Sequence, residues 1–406
     1  MQQTDGNDAA TQDQQAENRS AGPLVTAGQK LTEGARGARV AISGQSGPFK
    51  LRPERKATKR DRHARTRVSF FRYGYYDIAF KFFVEHVLDA DFVSLPPSTK
   101  RTVELGSKHS SDFVCAPFKH ILGDYIEGLE LGADVLVQFA GPCRLGYYDK
   151  LKDSILRDLG YEFDMLNFAT VTGKPLKEYI EVCKRKINPN VSVPRGVVNM
   201  LATFKMVECL DEANDYYLAN AAFEDNPGDF EHARQAYFAD MRNAACEKDI
   251  VAAQKAGLER FRAIPCHKPD NPVRVGLVGE YFTAVDESSN LGVEKKLLGM
   301  GVELHRMLNM TNRNLRYNEK NLRASASDYI TYDMGPTSSM TIAATLKYAQ
   351  AGFDGVIHMK SSDCTSEIDC MPVLYLSYDS QTSDTGLDTS LEAFYGMLAM
   401  KKEKQR

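Results

Sequence analysis

Short apolar runs alternate with longer stretches of helical periodicity along most of this chain, and that alternation constrains its fold more than any other feature. Val68-Ser69-Phe70-Phe71 reads as a buried strand, Tyr76 to Leu88 carries apolar residues at helical spacing, and Phe92 to Leu95 returns to strand before Pro96-Pro97. Phe113-Val114-Cys115 is strand-like and Phe118 to Leu131 is an amphipathic helix. Val135 to Phe139 then reads as a strand, and Tyr147 to Leu159 as a helix ended by Gly160. Such a rhythm predicts a mainly parallel sheet with helices on both faces, because parallel neighbours need a crossover and the crossover helix covers the sheet.

Between Pro194 and Arg262 the β-branched runs vanish, and Ala, Leu, Met, Glu and Arg take over with helical spacing, broken at Asn226-Pro227-Gly228. After the connection from Pro265 to Pro272, Val273 to Val278 opens a second series, continued by Gly352 to His358, Val373 to Tyr378 and a helix near Leu387 to Met400. The first 65 residues lack an apolar face that could offset the entropy of ordering, so they read as a disordered tail. The expected fold class is therefore α/β. Two doubly wound, mainly parallel-sheet, Rossmann-like domains at 66–193 and 265–406 are bridged by a helical segment at 194–264, behind the tail at 1–65.

The 406 residues, 43% hydrophobic and 26% charged, suffice for two such domains. A formal net charge of −3 gives no general attraction to nucleic acid or an anionic membrane. Lys50 to Arg67 is locally basic but lacks aromatic residues for stacking on bases, so a solvated linker is the preferred reading over a nucleic-acid arm. No apolar run approaches the roughly 20 residues of a spanning helix, and the first 25 residues lack the apolar centre of a secretory signal, which points to the cytoplasm. Eight cysteines without a CxxC pair are then expected to be reduced.

Ligands of open parallel sheets bind beyond the carboxyl ends of the strands. Three cysteines are expected there, each flanked by Gly, Pro or Ser and preceding a helix: Cys115 in Cys-Ala-Pro-Phe-Lys, Cys143 in Gly-Pro-Cys-Arg-Leu-Gly, and Cys364 in Ser-Ser-Asp-Cys-Thr-Ser-Glu. Backbone N–H groups and a helix dipole favour a thiolate at such positions. Structural zinc usually takes close cysteine pairs, whereas an iron-sulfur cluster accepts widely spaced thiolates, and three of them leave one iron open to another ligand. Lys119 and Arg144 could balance such a cluster or hold a phosphate or acyl-thioester, and Asp379 to Gly386, with Asp379 and Ser383, could form another wall of the cleft. Cys183, Cys209, Cys246 and Cys266 read as core or surface thiols, and His358 as a packed residue. There is no Walker loop, no G-x-S-x-G and no G-x-G-x-x-G; Gly276 and Gly279 make a weak phosphate-loop signal.

The segments Cys115 to Lys119, Gly141 to Tyr148, Phe353 to Ile357 with Cys364 to Glu367, and Leu376 to Gly386 leading into Leu391-Glu392-Ala393-Phe394, resemble the 2-hydroxyacyl-CoA dehydratase superfamily. Within it the chain is most similar to the acyl-CoA dehydratase activase-related branch, with the double-cubane cluster proteins as relatives. The resemblance spans Val68 to Lys402 and implies an oxygen-sensitive cluster, of 4Fe-4S type or a double-cubane relative, on Cys115, Cys143 and Cys364. It also implies a separate activator ATPase that feeds low-potential electrons to the cluster, and a small-molecule substrate, in the dehydratases proper an acyl-CoA. The sequence departs from the pattern at Asp363, Ser366 and Ser390, and Met371 to Leu374 abuts Tyr375 to Tyr378 where the family usually inserts a helix.

Three functions compete: an iron-sulfur redox protein, a non-catalytic scaffold of the same fold without a cluster, and a cysteine-dependent acyl transferase. The redox reading leads. A homo- or heterodimer is compatible with it.

Overall fold

The computed structural model describes residues 65–138, 148–167, 176–311, 327–329, 336–361, 373–379 and 382–403. Apart from Arg65, the expected tail lies outside these residues. Arg55–Arg406 forms one compact unit by its backbone contacts.

The chain is α/β, with two four-stranded sheets in which every strand pair is parallel. The first sheet has the order β2-β1-β3-β4, built from β1 (Arg67–Phe70), β2 (Asp91–Phe92), β3 (Val135–Gln138) and β4 (Asp164–Asn167). Between β1 and β2 lies helix α1 (Asp77–Phe82), continued by a wider π-turn over Phe83–Val87. The expected strand from Phe92 to Leu95 shrinks to two residues, because Pro96-Pro97 cannot donate to a ladder.

The expected strand at Phe113 to Cys115 is a correction. The chain turns there: the Val114 amide donates to the Ser111 carbonyl at 3.3 Å, and Phe113 is 92% exposed. Three apolar residues between Ser-Ser-Asp and Ala-Pro are too few to enter a sheet, while Pro117 suits the first turn of a helix. The β2-to-β3 crossover thus consists of helix α2 (Lys100–Lys108) and helix α3 (Ala116–Glu130), with α4 (Tyr148–Asp158) after β3 and α5 (Leu176–Lys186) after β4.

The helical segment appears as α6 (Val193–Asn220), α7 (Asp229–Asn243) and α8 (Glu247–Arg262), with the break at Gly228 taking φ +101°. The second sheet has the order β6-β5-β7-β8. Its strands are β5 (Arg274–Gly279), β6 (Glu303–Arg306), β7 (Gly355–Ser361) and β8 (Val373–Tyr378). Around it stand α9 (Tyr281–Val285), α10 (Val293–Gly299), α11 (Pro336–Gln350) and α12 (Asp384–Glu403). The connection from Ser361 to Val373 is short for a parallel crossover, yet β7 and β8 pair in register from Val356↔Val373 to Ser361↔Tyr378.

The glycines after Val275 serve packing. A Cβ on Gly276 would lie 2.4 Å from the Tyr348 ring, and one on Gly279, at φ +133°, would lie 1.8 Å from the Met359 carbonyl oxygen. Both positions let neighbouring groups approach the strand, which accounts for them without a phosphate.

Candidate functional site

Contacts between the two sheets' surroundings run through segments that follow strands. The Tyr73 hydroxyl donates to the Tyr281 carbonyl at 3.3 Å, and the Met310 amide donates to the Tyr76 hydroxyl at 3.0 Å. Arg306, at the end of β6 and 2% exposed, donates to the Tyr75 hydroxyl at 3.1 Å and pairs with Glu294. Asp211 of α6 accepts from the Tyr76 hydroxyl and, at 3.0 Å, from the Thr311 amide. Burial pushes the Asp211 carboxyl upward, partly offset by the hydrogen bonds from Thr311 and Tyr76. The crevice is therefore closed on this side by buried polar groups drawn from both sheets and the helical segment.

Cys115 occupies the N-cap of α3 with extended backbone (φ −61°, ψ 154°) and is half-buried. It sits at the positive end of a 15-residue helix, the setting that favours a thiolate, although it caps a helix rather than ending a strand. Two contacts tie the first turn of this helix to the segments that carry the other candidate ligands. The Ala116 amide donates to the Ser361 hydroxyl at 3.0 Å, and Ser361 is the last residue of β7, three positions before Cys364. Phe118 meets Tyr148 edge-on with ring centroids 4.9 Å apart, and Tyr148 opens α4, five positions after Cys143. Cys143, Arg144 and Cys364 themselves lie outside the described residues.

Lys119 is 7% exposed and its ammonium lies 3.5 Å from the Asp112 carbonyl. A second buried ammonium went unread in the sequence: Lys152 of α4, fully buried, donates to Gln138 at 3.1 Å and stands over the Phe118 and Tyr125 rings at 5.1 and 5.9 Å. Its signal was its place between Tyr148 and Leu156 at steps of four, on a face that also carries the buried Leu156. A cation there, beside the first turn of α3, lowers the cost of negative charge at that turn.

One strand further along, Tyr378 pairs with Ser361 and lines a cavity of about 1060 Å³. Thr99, which caps α2, Val103 of α2, His120 of α3 and the loop at Ser288 form its other walls. Asp379 lines this cavity, with its amide and carboxylate both engaged by the Thr382 hydroxyl at 2.8 and 3.0 Å. Ser383 is exposed beside α12.

Behind His120, Arg72 pairs with Asp124 and, at 2.7 Å, with Glu127, which also accepts from Thr102 at 2.9 Å. Burial pushes the Asp124 carboxyl up to about 7, against the lowering effect of Arg72. Burial also lowers the His120 imidazole, opposed by Asp286 and assisted by Arg72. Neither His120 nor Arg72 was singled out in the sequence, where a polar residue inside an apolar stretch carries no sign of what it faces.

The remaining described cysteines are dispersed. Cys209 is buried in the core on α6, Cys183 is half-buried on α5, and Cys246 and Cys266 are exposed. His358 is 3% exposed within β7, its ring 5.4 Å from that of Tyr375. Among the described residues, no three His, Cys, Asp or Glu side chains gather as a metal-binding group. Among the described residues, too, no helix is long and apolar enough to cross a membrane. No known family model matches the chain, and no curated protein does.

Proposed function

We propose that the chain is an iron-sulfur redox protein of the 2-hydroxyacyl-CoA dehydratase and activase-related kind. In this reading it accepts low-potential electrons from a partner ATPase in the cytoplasm and passes them to a small molecule, an acyl-CoA by the resemblance. The observation that carries the reading is the pair of contacts at the first turn of α3, Ala116 with Ser361 and Phe118 with Tyr148. They bring one end of each segment bearing Cys143 and Cys364 to the turn that begins with Cys115. Three and five residues of chain span at most about 11 and 18 Å, an upper bound on how far the backbone of each cysteine stands from those contacts.

The described residues suit a thiolate-held cluster. Cys115 would supply one thiolate at a helix N-terminus, with Cys143 and Cys364 supplying the others. A thiolate-ligated cluster supplies one-electron transfer. Around that position Phe118 and Tyr148 exclude water, while the Lys152 ammonium offsets negative charge. The neighbouring cavity, walled in part by Tyr378 and Asp379, would seat the electron acceptor. In this reading 66–193 and 265–406 act as two Rossmann-like domains whose facing edges enclose the cluster.

Anaerobic purification of the full chain, followed by reconstitution and analysis for iron and sulfide, tests the proposal. Iron and sulfide in equal amounts, with broad visible absorption that bleaches on reduction, support it. A chain that takes up neither after anaerobic reconstitution overturns it and leaves the scaffold reading.

A further inference from the structure

Helix α6 meets the rest of the molecule unevenly. Its later part is buried, with Met206 and Leu210 in the main core and Asp211 bonded to Tyr76 and Thr311. Its first turns lean on the π-turn: a Cβ on Gly196 would stand 3.6 Å from the Val87 carbonyl oxygen, and the Asn199 side-chain amide donates to the His86 carbonyl at 2.7 Å. On these turns Val197, Val198, Leu201 and Phe204 are 46%, 61%, 63% and 63% exposed. Spaced by three and four residues, they form one stripe.

Single exposed apolar residues are ordinary, whereas a contiguous stripe marks an interaction surface. Helix α8 shows the ordinary arrangement, with Glu247, Lys248, Lys255 and Glu259 on its exposed side and Val251 alone among them.

The order of residues along the stripe decides what fits it. Leu201 stands in the middle. If an identical helix pairs antiparallel about a two-fold axis at Leu201, each residue faces the one equally far beyond that axis. Leu201 then meets its own copy, Val198 meets Phe204, and Val197 meets the methylenes of Lys205. The charges agree with this pairing. Glu208 holds Lys205 at 2.8 Å, which leaves that end of the stripe without net charge, and the exposed Arg195 brings a cation beside Glu208 of the other copy. Antiparallel helices also oppose their dipoles, and the two-fold axis makes every off-axis contact twice. The four apolar side chains supply about half of the ~800 Å² per partner of a standard interface, so the association is weak.

We infer that this stripe joins two copies of the chain through α6, about a two-fold axis at Leu201. The π-turn beside these turns of α6 leads into β2, so the contact lies toward the amino ends of the first sheet's strands, away from Cys115 and the cavity. The inference is therefore independent of the redox reading.

Analytical ultracentrifugation of the full chain over a hundredfold range of micromolar concentration tests it. The mass should rise from one chain toward two across that range. Leu201→Glu, which sets two carboxylates side by side on the axis, should hold the chain at one copy throughout, whereas Met400→Glu, at a position 59% exposed on α12, should leave the association unchanged. Glu208→Lys should weaken it roughly tenfold through the loss of two surface ion pairs. In case Leu201→Glu fails to fold, Leu201→Cys gives a second reading. Only this position of the stripe meets its own copy, so mild oxidation should join two chains through it under conditions where the unmodified chain stays unjoined. A chain that remains single at the highest concentration, because its own tail or another protein occupies the stripe, overturns the inference. So does a dimer that Leu201→Glu leaves intact or that Leu201→Cys fails to join.

Discussion

The helical segment and the crevice between the sheets are built on opposite terms. In α6, α7 and α8 the interior is mainly apolar: Met206, Leu210, Phe230, Tyr237 and Phe261 are all 0–1% exposed, with Asp211 the buried carboxyl that faces the sheets. Its pair of Arg242 with Asp77, at 3.5 Å, stands at the surface with both side chains about two-fifths exposed. Near the strand ends Asp124, Glu127, His120, Lys152 and Arg306 are buried and Arg72 is half-buried. Buried charge is a poor way to gain stability, because desolvation consumes most of the Coulombic return. Its concentration near the carboxyl ends of parallel strands is the pattern on which the proposed site rests.

The sharpest break of this contrast is Arg72→Met. It strands Asp124 and Glu127 without their cation and is expected to cost about 3–5 kcal/mol in urea denaturation. Arg242→Met in the helical segment should cost at most about 1 kcal/mol. Equal losses would mean that the crevice charges are solvated after all.

Next in size is the crossing of α2 and α3. Gly123→Ala drives a Cβ into the Thr102 carbonyl and should cost about 1–3 kcal/mol. Gly257→Ala, on α8, drives a Cβ to 2.3 Å from the fully buried Tyr237 ring and should cost a similar amount. The same denaturation experiment compares them.

Asp124 gives the contrast a pH signature. Its folded carboxyl titrates at about 7 because burial disfavours the anion, whereas the unfolded one titrates near the ordinary 3.8. The folded state thus holds a proton that the unfolded state has lost across this window, so stability falls as pH rises from about 4 to about 7. The slope is at most about 1.4 kcal/mol per pH unit. Asp124→Asn should flatten that slope, and an unchanged slope would place the carboxyl in an ordinary environment. The smallest effect is expected for Ser361→Ala, which removes the acceptor of the Ala116 amide at a cost of about 1 kcal/mol.

The strands that the sequence reveals are those whose residues are apolar for packing reasons. Val373 to Tyr378 coincides with β8, and Val135 to Gln138 carries β3. Strand β6 escapes notice because it reads Glu-Leu-His-Arg; its charges become tolerable only through partners distant in sequence, Lys268 on Glu303 at 2.9 Å and Glu294 on Arg306. Strand β4, Asp-Met-Leu-Asn, hides for the same reason. The site follows the same rule. Cys115 and Lys119 stand out through a Cys-Ala-Pro-Phe-Lys turn signal that is local. Lys152 has only its helical spacing as a signal, and His120 and Arg72 become visible only when the packing around α3 brings their surroundings into place.

The most direct test of the redox proposal is the iron content of two single variants reconstituted anaerobically beside the unmodified chain. Cys115→Ala removes a thiol from the crevice, and Cys209→Ala removes one from the apolar core of α6. If the crevice holds the cluster, Cys115→Ala loses its iron and the visible absorption while Cys209→Ala keeps both. Iron retained in full by Cys115→Ala would contradict it.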